Sequence, residues 1–250
     1  MTLYLSRLTI ARNPTASAIR ALIDPLPEPS GEGLRDPALG RIMDAHHRLV
    51  WALFGDTPDR ARDFLWRSEG KGQFLVLSQR PPAADGAGLF DPPQTKEFAP
   101  DLREGDALAF LLRANATRTR KDPADPKKRG ARVDVVMDAI HALPSGHLGT
   151  ERRDARTSAA EDAGRRWLND LGAKAGFLVE QAIVDGYSVV PLPVQVGQRR
   201  GQRQGQPQFG IMDLAGQIRV SDPVLLLAAL AQGFGRAKAF GCGLMLIRRA

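Results

Sequence analysis

Gly233-Phe234-Gly235-Arg236-Ala237-Lys238-Ala239-Phe240-Gly241-Cys242-Gly243 is the stretch from which the rest of the chain is read. Four glycines frame two cations, and glycine admits close backbone approach and positive φ at little cost. Ser221-Asp222-Pro223 followed by an apolar run to Leu230 predicts a helix before it, with a polar cap and proline in its first turn. Leu244-Met245-Leu246-Ile247 predicts a short strand after it. Two readings of the stretch stand side by side: a helix C-cap turning into a strand, or an amide-lined anion cradle supported by Arg236 and Lys238. A dinucleotide loop does not fit, because its glycines follow a strand and open a helix; the Walker spacing is absent too.

Outward from this stretch, the chain has 250 residues, 43% of them hydrophobic and 25% charged, enough for a substantial core in one large or two small domains. The net charge of +7 points to a polyanionic partner, most simply nucleic acid. The single cysteine, Cys242, excludes an internal disulfide and a thiolate metal cluster. No apolar run approaches ~18 residues and no signal h-region is present, so a cytoplasmic protein without a membrane partner is expected.

In chain order, Leu3, Leu5, Leu8 and Ile10 predict a strand in the middle of a sheet, and residues 24–37 a loop. A helix is expected over 37–54. Phe64 and Trp66, then Phe74 and Val76, predict two strands around a turn at residues 70–72. Residues 80–101 read as irregular, and Leu108, Phe110 and Leu112 as a strand. Val133, Val135 and Val136 suggest a strand, 144–160 a polar link, and 161–171 a helix. Residues 177–179 and 187–190 form apolar runs. The polar, low-complexity run 197–208 is expected to be a loop, and Phe209, Ile211, Ile218 and Val220 a hairpin around Ala215-Gly216. This order suits an α+β protein of two tandem ferredoxin-like (RRM-like, βαββαβ) domains with antiparallel sheets. The expected division is 1–114, a basic linker or groove segment 115–132, and 133–250.

Four histidines are present: His46, His47, His141 and His147. On the 37–54 helix, Leu39, Ile42, Met43, Leu49, Val50 and Leu53 form an apolar stripe with His46 near its centre. His47 lies ~100° round, at the edge of the stripe, where it can face both the sheet and solvent. A catalytic histidine needs such a border position, and a structural role for either histidine also fits the spacing. His141 and His147 flank Pro144-Ser145-Gly146 and read as loop residues. No His-x-x-x-His pair, serine-hydrolase elbow or acidic cluster accompanies them, so no metal or cofactor is expected.

Residues 113–132 carry Arg113, Arg118, Arg120, Lys121, Lys127, Lys128, Arg129 and Arg132 against Asp122 and Asp125. Concentrated cation without interleaved aromatics suits a groove following RNA backbone and shape; a merely solubilising basic loop is the alternative.

Leu3-Tyr4-Leu5-Ser6-Arg7, His47-Arg48 with Trp51 to Phe54, and Ala61-Arg62-Asp63-Phe64-Leu65-Trp66 together resemble the CasE family. Phe110-Leu111-Leu112-Arg113-Ala114-Asn115, Trp167-Leu168 with Leu171-Gly172, and residues 209–243 extend that resemblance over nearly the whole chain. CasE proteins are the repeat-cleaving endoribonucleases of type I-E CRISPR Cascade complexes. The resemblance implies metal-independent cleavage of the CRISPR repeat hairpin, with the RNA 2′-OH attacking the adjacent phosphate. It implies retention of the guide RNA among other Cascade subunits, without direct DNA contact. The family's catalytic histidine falls at His47; Arg48, the 113–132 cations, Arg236 and Lys238 are the expected RNA ligands. Where the family commonly has a tyrosine three residues before that histidine, this chain has Asp44, which is no neutral donor. Tyr4, His46 or a nearby lysine then stands open as acid–base partner, and a catalytically impaired guide-RNA-binding subunit of the same fold is the alternative.

Overall fold

The computed structural model describes residues 2–12, 37–55, 60–83, 88–121, 124–125, 130–143, 149–191 and 208–250. Expectations for 24–36, 144–147 (His147 included) and 197–207, and for Lys127, Lys128 and Arg129, lie outside them.

The first sheet holds β1 (Tyr4–Thr9), β2 (Phe64–Gly70), β3 (Gln73–Ser78) and β4 (Gln94–Glu97), all antiparallel in the order β2-β3-β1-β4. That is the strand order of a ferredoxin-like fold. β1 is central, as its two-sided apolar pattern required. Helix α1 (Pro37–Ala52) crosses one face, packing Leu49 and Val50, with Leu53 just past its end, on Leu8, Trp66, Phe74 and Val76. The return from β3 to β4 contains no helix among the described residues. β4, whose sequence Gln-Thr-Lys-Glu is wholly exposed, carries no apolar alternation and lies inside the run expected to be irregular.

The second sheet holds β5 (Ala107–Ala114), β8 (Phe177–Pro191), β9 (Gln208–Val220) and β10 (Met245–Arg249), in the order β10-β5-β9-β8, again antiparallel. β5 alternates inward at Leu108, Phe110, Leu112 and Ala114. Helices α2 (Val135–His141), α3 (Gly149–Ala175) and α4 (Pro223–Gln232) belong to this second ferredoxin-like unit, packing Val136, Leu168, Leu226 and Leu230 into its core. Between β5 and α2 a two-stranded ribbon projects: β6 (Thr117–Arg120) and β7 (Ala131–Asp134).

Several expectations are corrected. A division at residue 114 cuts through the second sheet, because β5 is its first strand and pairs with both β9 and β10. The expected linker 115–132 contains strand β6 and the first two residues of β7, which pair with each other. Val135 and Val136 open α2, since the Asp134 side chain accepts from the Val136 and Met137 amides and caps it. The helix expected over 161–171 runs from Gly149 to Ala175, taking in part of the supposed polar link. The runs at 177–179 and 187–190 are one long strand, β8. Gly216 is no turn: β9 passes straight through it, and a Cβ there would lie 2.0 Å from the Gln181 carbonyl oxygen, across a bulge in β8. His141 lies in the last turn of α2.

Candidate active site and nucleic-acid interface

The two sheets meet through the glycine-rich stretch. Gly233, at φ 75°, caps α4 and sends the chain across Leu65. The Phe234 amide donates to the Gly243 carbonyl (2.9 Å), the Arg236 amide to Asn115 (3.1 Å), and the Gly243 amide to Arg113 (2.7 Å). These three amides are therefore engaged by carbonyls, and the C-cap reading is the one the fold uses. Between them, Ala237 takes a left-handed conformation and starts a 3-10 turn, Lys238–Phe240. The Trp66 indole Nε1 donates to the Ala239 carbonyl at 3.2 Å, tying this turn to the first sheet.

That turn packs on α1 beside the two histidines. His46 faces the sheet, edge-on to Phe74 (4.9 Å) and Trp66 (6.2 Å between ring centroids). His47 faces the seam, with Trp51 at 5.8 Å on one side and Phe240 at 6.3 Å on the other. Burial lowers the pKa of both rings; at His47 the nearby Arg62 charge lowers it further, and Asp44 pulls it partly back. His47 Nδ1 is sealed from solvent without a hydrogen-bond partner, so Nε2 is the ring nitrogen left to meet a substrate. Lys238 donates to the Gln232 carbonyl at 2.6 Å, and burial with Arg62's charge lowers its pKa too. His47, Arg62 and Lys238 thus come from three remote segments to one place. Arg62 was not singled out in the sequence beyond its place in the Ala61–Trp66 motif, just before the strand Phe64–Gly70.

The other expected ligands divide. Arg48 is exposed and paired with Asp44 at 3.5 Å. Arg113 makes a two-pronged pair with Asp213, its register partner on β9 (2.9 and 2.8 Å), which raises its pKa and commits its charge to the sheet. Arg118 and Arg120 on β6 both reach Asp138 on α2, the second at 2.7 Å, and hold that carboxyl below its usual range. Lys121, Arg132 and Arg236 are exposed. Of the three candidate partners for His47, Lys238 shares a turn with Phe240, which touches His47. His46 faces the opposite way, and Tyr4 sits on β1 opposite Ser78 and Glu97. Among the described residues, no three His, Cys, Asp or Glu side chains gather as a metal-holding group, and no helix is long and apolar enough to cross a membrane.

Asn115, unremarked in the sequence beyond its place in a motif, is the joint of this arrangement. It is buried; its side chain donates to the Gly210 carbonyl at 2.6 Å, and its backbone bridges to Arg236. The ribbon leaves the sheet at this residue.

Paired ferredoxin-like sheets, docked by a glycine-rich loop with a partly buried histidine at the seam, define the class. The family model described as CRISPR associated protein matches residues 3–249, and the chain belongs to the CasE family of CRISPR-associated proteins. The CRISPR system Cascade subunit CasE of Escherichia coli (strain K12) is 27% identical over 215 residues, 83% of this chain and 92% of that protein. Among solved structures, CRISPR endoribonuclease Cse3 bound to a 19-nucleotide RNA superposes with TM-score 0.62 at 21% identity, covering 98% of this chain and 99% of that one. Cas6e from Escherichia coli K-12 superposes with TM-score 0.53 at 21% identity, covering 99% and 100%. These likenesses establish the shared fold.

Proposed function

We propose that the chain is a CRISPR precursor-RNA endoribonuclease that cleaves the repeat hairpin without a metal ion and keeps the mature guide RNA within a Cascade assembly in the cytoplasm. The observation that carries this reading is His47 at the seam, its proton affinity lowered by burial and by Arg62, with the turn that holds Lys238 packed against it through Phe240. A neutral imidazole takes the proton from the 2′-OH as that oxygen attacks the adjacent phosphorus. The new P–O2′ bond closes a 2′,3′-cyclic phosphate, the P–O5′ bond breaks, and the 5′ oxygen leaves as a hydroxyl after gaining a proton. Lys238, a cation made more acidic by its surroundings, is suited to donate that proton. Arg62 stabilises charge developing on the phosphoryl oxygens. The β6–β7 ribbon and Arg236 hold RNA outside the seam by backbone contacts. The Cascade subunit of E. coli and the RNA-bound Cse3 named above support the assignment.

Incubation with cognate repeat RNA in EDTA tests it: the wild type yields one cut with cyclic-phosphate and 5′-OH ends. His47→Ala yields none, yet binds the hairpin with little change. Undiminished cleavage by that variant would remove His47 from the mechanism. Asp44 in place of the family's tyrosine favours a second reading, a guide-RNA-binding subunit that has lost cleavage. Tight binding of hairpin that stays intact over long incubation would establish it.

A further inference from the structure

A pocket of about 320 Å³ opens between α2, α3 and strand β6, away from the His47 seam. Its wall on α3 is Ala163, Arg166, Trp167 and Asp170, spaced so that all four share one face of the helix. Arg118 and Asp138 close the rim opposite, and small apolar side chains of α2 form the floor. Trp167 is half-buried and backed by the glycine-rich loop: a Cβ at Gly235 would lie 3.5 Å from its ring. Arg166 and Asp170 are exposed, and neither has an ion-pair partner among the described residues. This combines a fixed aromatic plane, an exposed guanidinium and an exposed carboxylate in a space the size of one nucleotide.

We propose that the pocket takes one unpaired guanine nucleotide of the bound RNA. The proposal rests on the RNA-binding reading above. The indole supplies a stacking surface, and Arg166, with Arg118 already oriented by Asp138, meets the nucleotide's phosphates. Asp170 accepts from N1–H and the exocyclic amine, the adjacent donors that guanine alone presents on its Watson–Crick edge. A peptide side chain would leave either the cation or the carboxylate unmatched. The pocket also borders β6, so RNA tracking the ribbon has a nucleotide within reach.

The test is a coupling measurement on the full-length protein, with the cognate repeat RNA made resistant to cleavage by 2′-deoxy substitution at the cut site. Abasic scanning of that RNA is expected to find one guanine whose removal weakens binding by about five- to a hundredfold. Adenine at that position should reproduce much of the loss. Arg166→Ala and Asp170→Asn lie on an exposed helix face and leave folding intact; each should weaken binding of the unmodified RNA. Asp170→Asn should add almost nothing to the loss from the abasic RNA, because both remove the same contact. Trp167→Ala, checked by its melting curve, should behave likewise. Tight hairpin binding with no position coupled to Asp170 or Arg166 overturns the pocket and leaves the RNA-binding reading in place. Absence of hairpin affinity at moderate salt overturns both.

Discussion

His47 loses its proton more readily than a free histidine because burial and Arg62 both oppose the charged ring, against a smaller opposing pull from Asp44. A base is active in its deprotonated form, so cleavage should be complete at neutral pH and fall as acid carries the pH down through the lowered pKa. Single-turnover rates from about pH 5 to 8 should therefore show an acid limb with its midpoint below 6.5. A rate that instead declines toward alkaline pH across that range would assign His47 the acid role. Arg62→Gln removes one lowering influence and should move the limb upward, whereas Asp44→Asn removes the raising one and should move it down. A limb unmoved by Arg62→Gln would detach that residue from the site. The pair His46 and His47 was separable from sequence, because one residue of helix turns the ring from the centre of an apolar stripe to its edge. Arg62 and Lys238 were not assignable together, since nothing in linear spacing brings residues so far apart to one ring.

At the scale of elements, the glycine-rich loop and the β6–β7 ribbon are joined at Asn115. Gly235 is at φ 71°, and a Cβ there would lie 2.6 Å from the Asn115 carbonyl oxygen that receives the Arg236 amide. Gly235→Ala should therefore destabilise by roughly 1–3 kcal/mol, measured by urea denaturation, and slow cleavage by loosening the turn that presents Lys238. Gly186→Ala, where a Cβ meets open space, is the control and should leave stability nearly unchanged. If the two variants melt alike, the loop conformation is not under strain control. On the ribbon, replacing Arg118 and Arg120 with alanine should weaken RNA binding and reduce the salt slope by up to about two, close to one per phosphate contact. An unchanged slope would mean that Asp138 fully occupies both guanidiniums. The helix cap at Asp222-Pro223 and the turn after Gly233 were legible because capping chemistry is local. The place of β5 in the second sheet was not, since its partners β9 and β10 lie about a hundred residues or more downstream. β9 was misread as a hairpin because glycine marks both a turn and a close backbone approach.

For the whole molecule, the question is whether the two sheets unfold as one. They are docked by Leu3, Leu65, Leu77 and Leu244, buried together from both halves of the chain. A second apolar contact joins α1 to the β8–β9 arm and the loop through Met43, Val190, Ile211 and Cys242. Cys242 is fully buried, and burial pushes its thiol up to about 12, so it reacts with alkylating agents only when this contact opens. Because the catalytic helix is one wall of that contact, thiol labelling reports on the integrity of the seam itself. If the halves form one cooperative unit, labelling and loss of circular dichroism should coincide along a urea titration. Leu65→Ala removes a buried leucine from the docking surface and should cost about 2–5 kcal/mol, drawing both transitions to lower urea together. Labelling that precedes the loss of secondary structure would show the domains parting first. His47 would then lose Phe240 and Lys238 while both sheets remained folded.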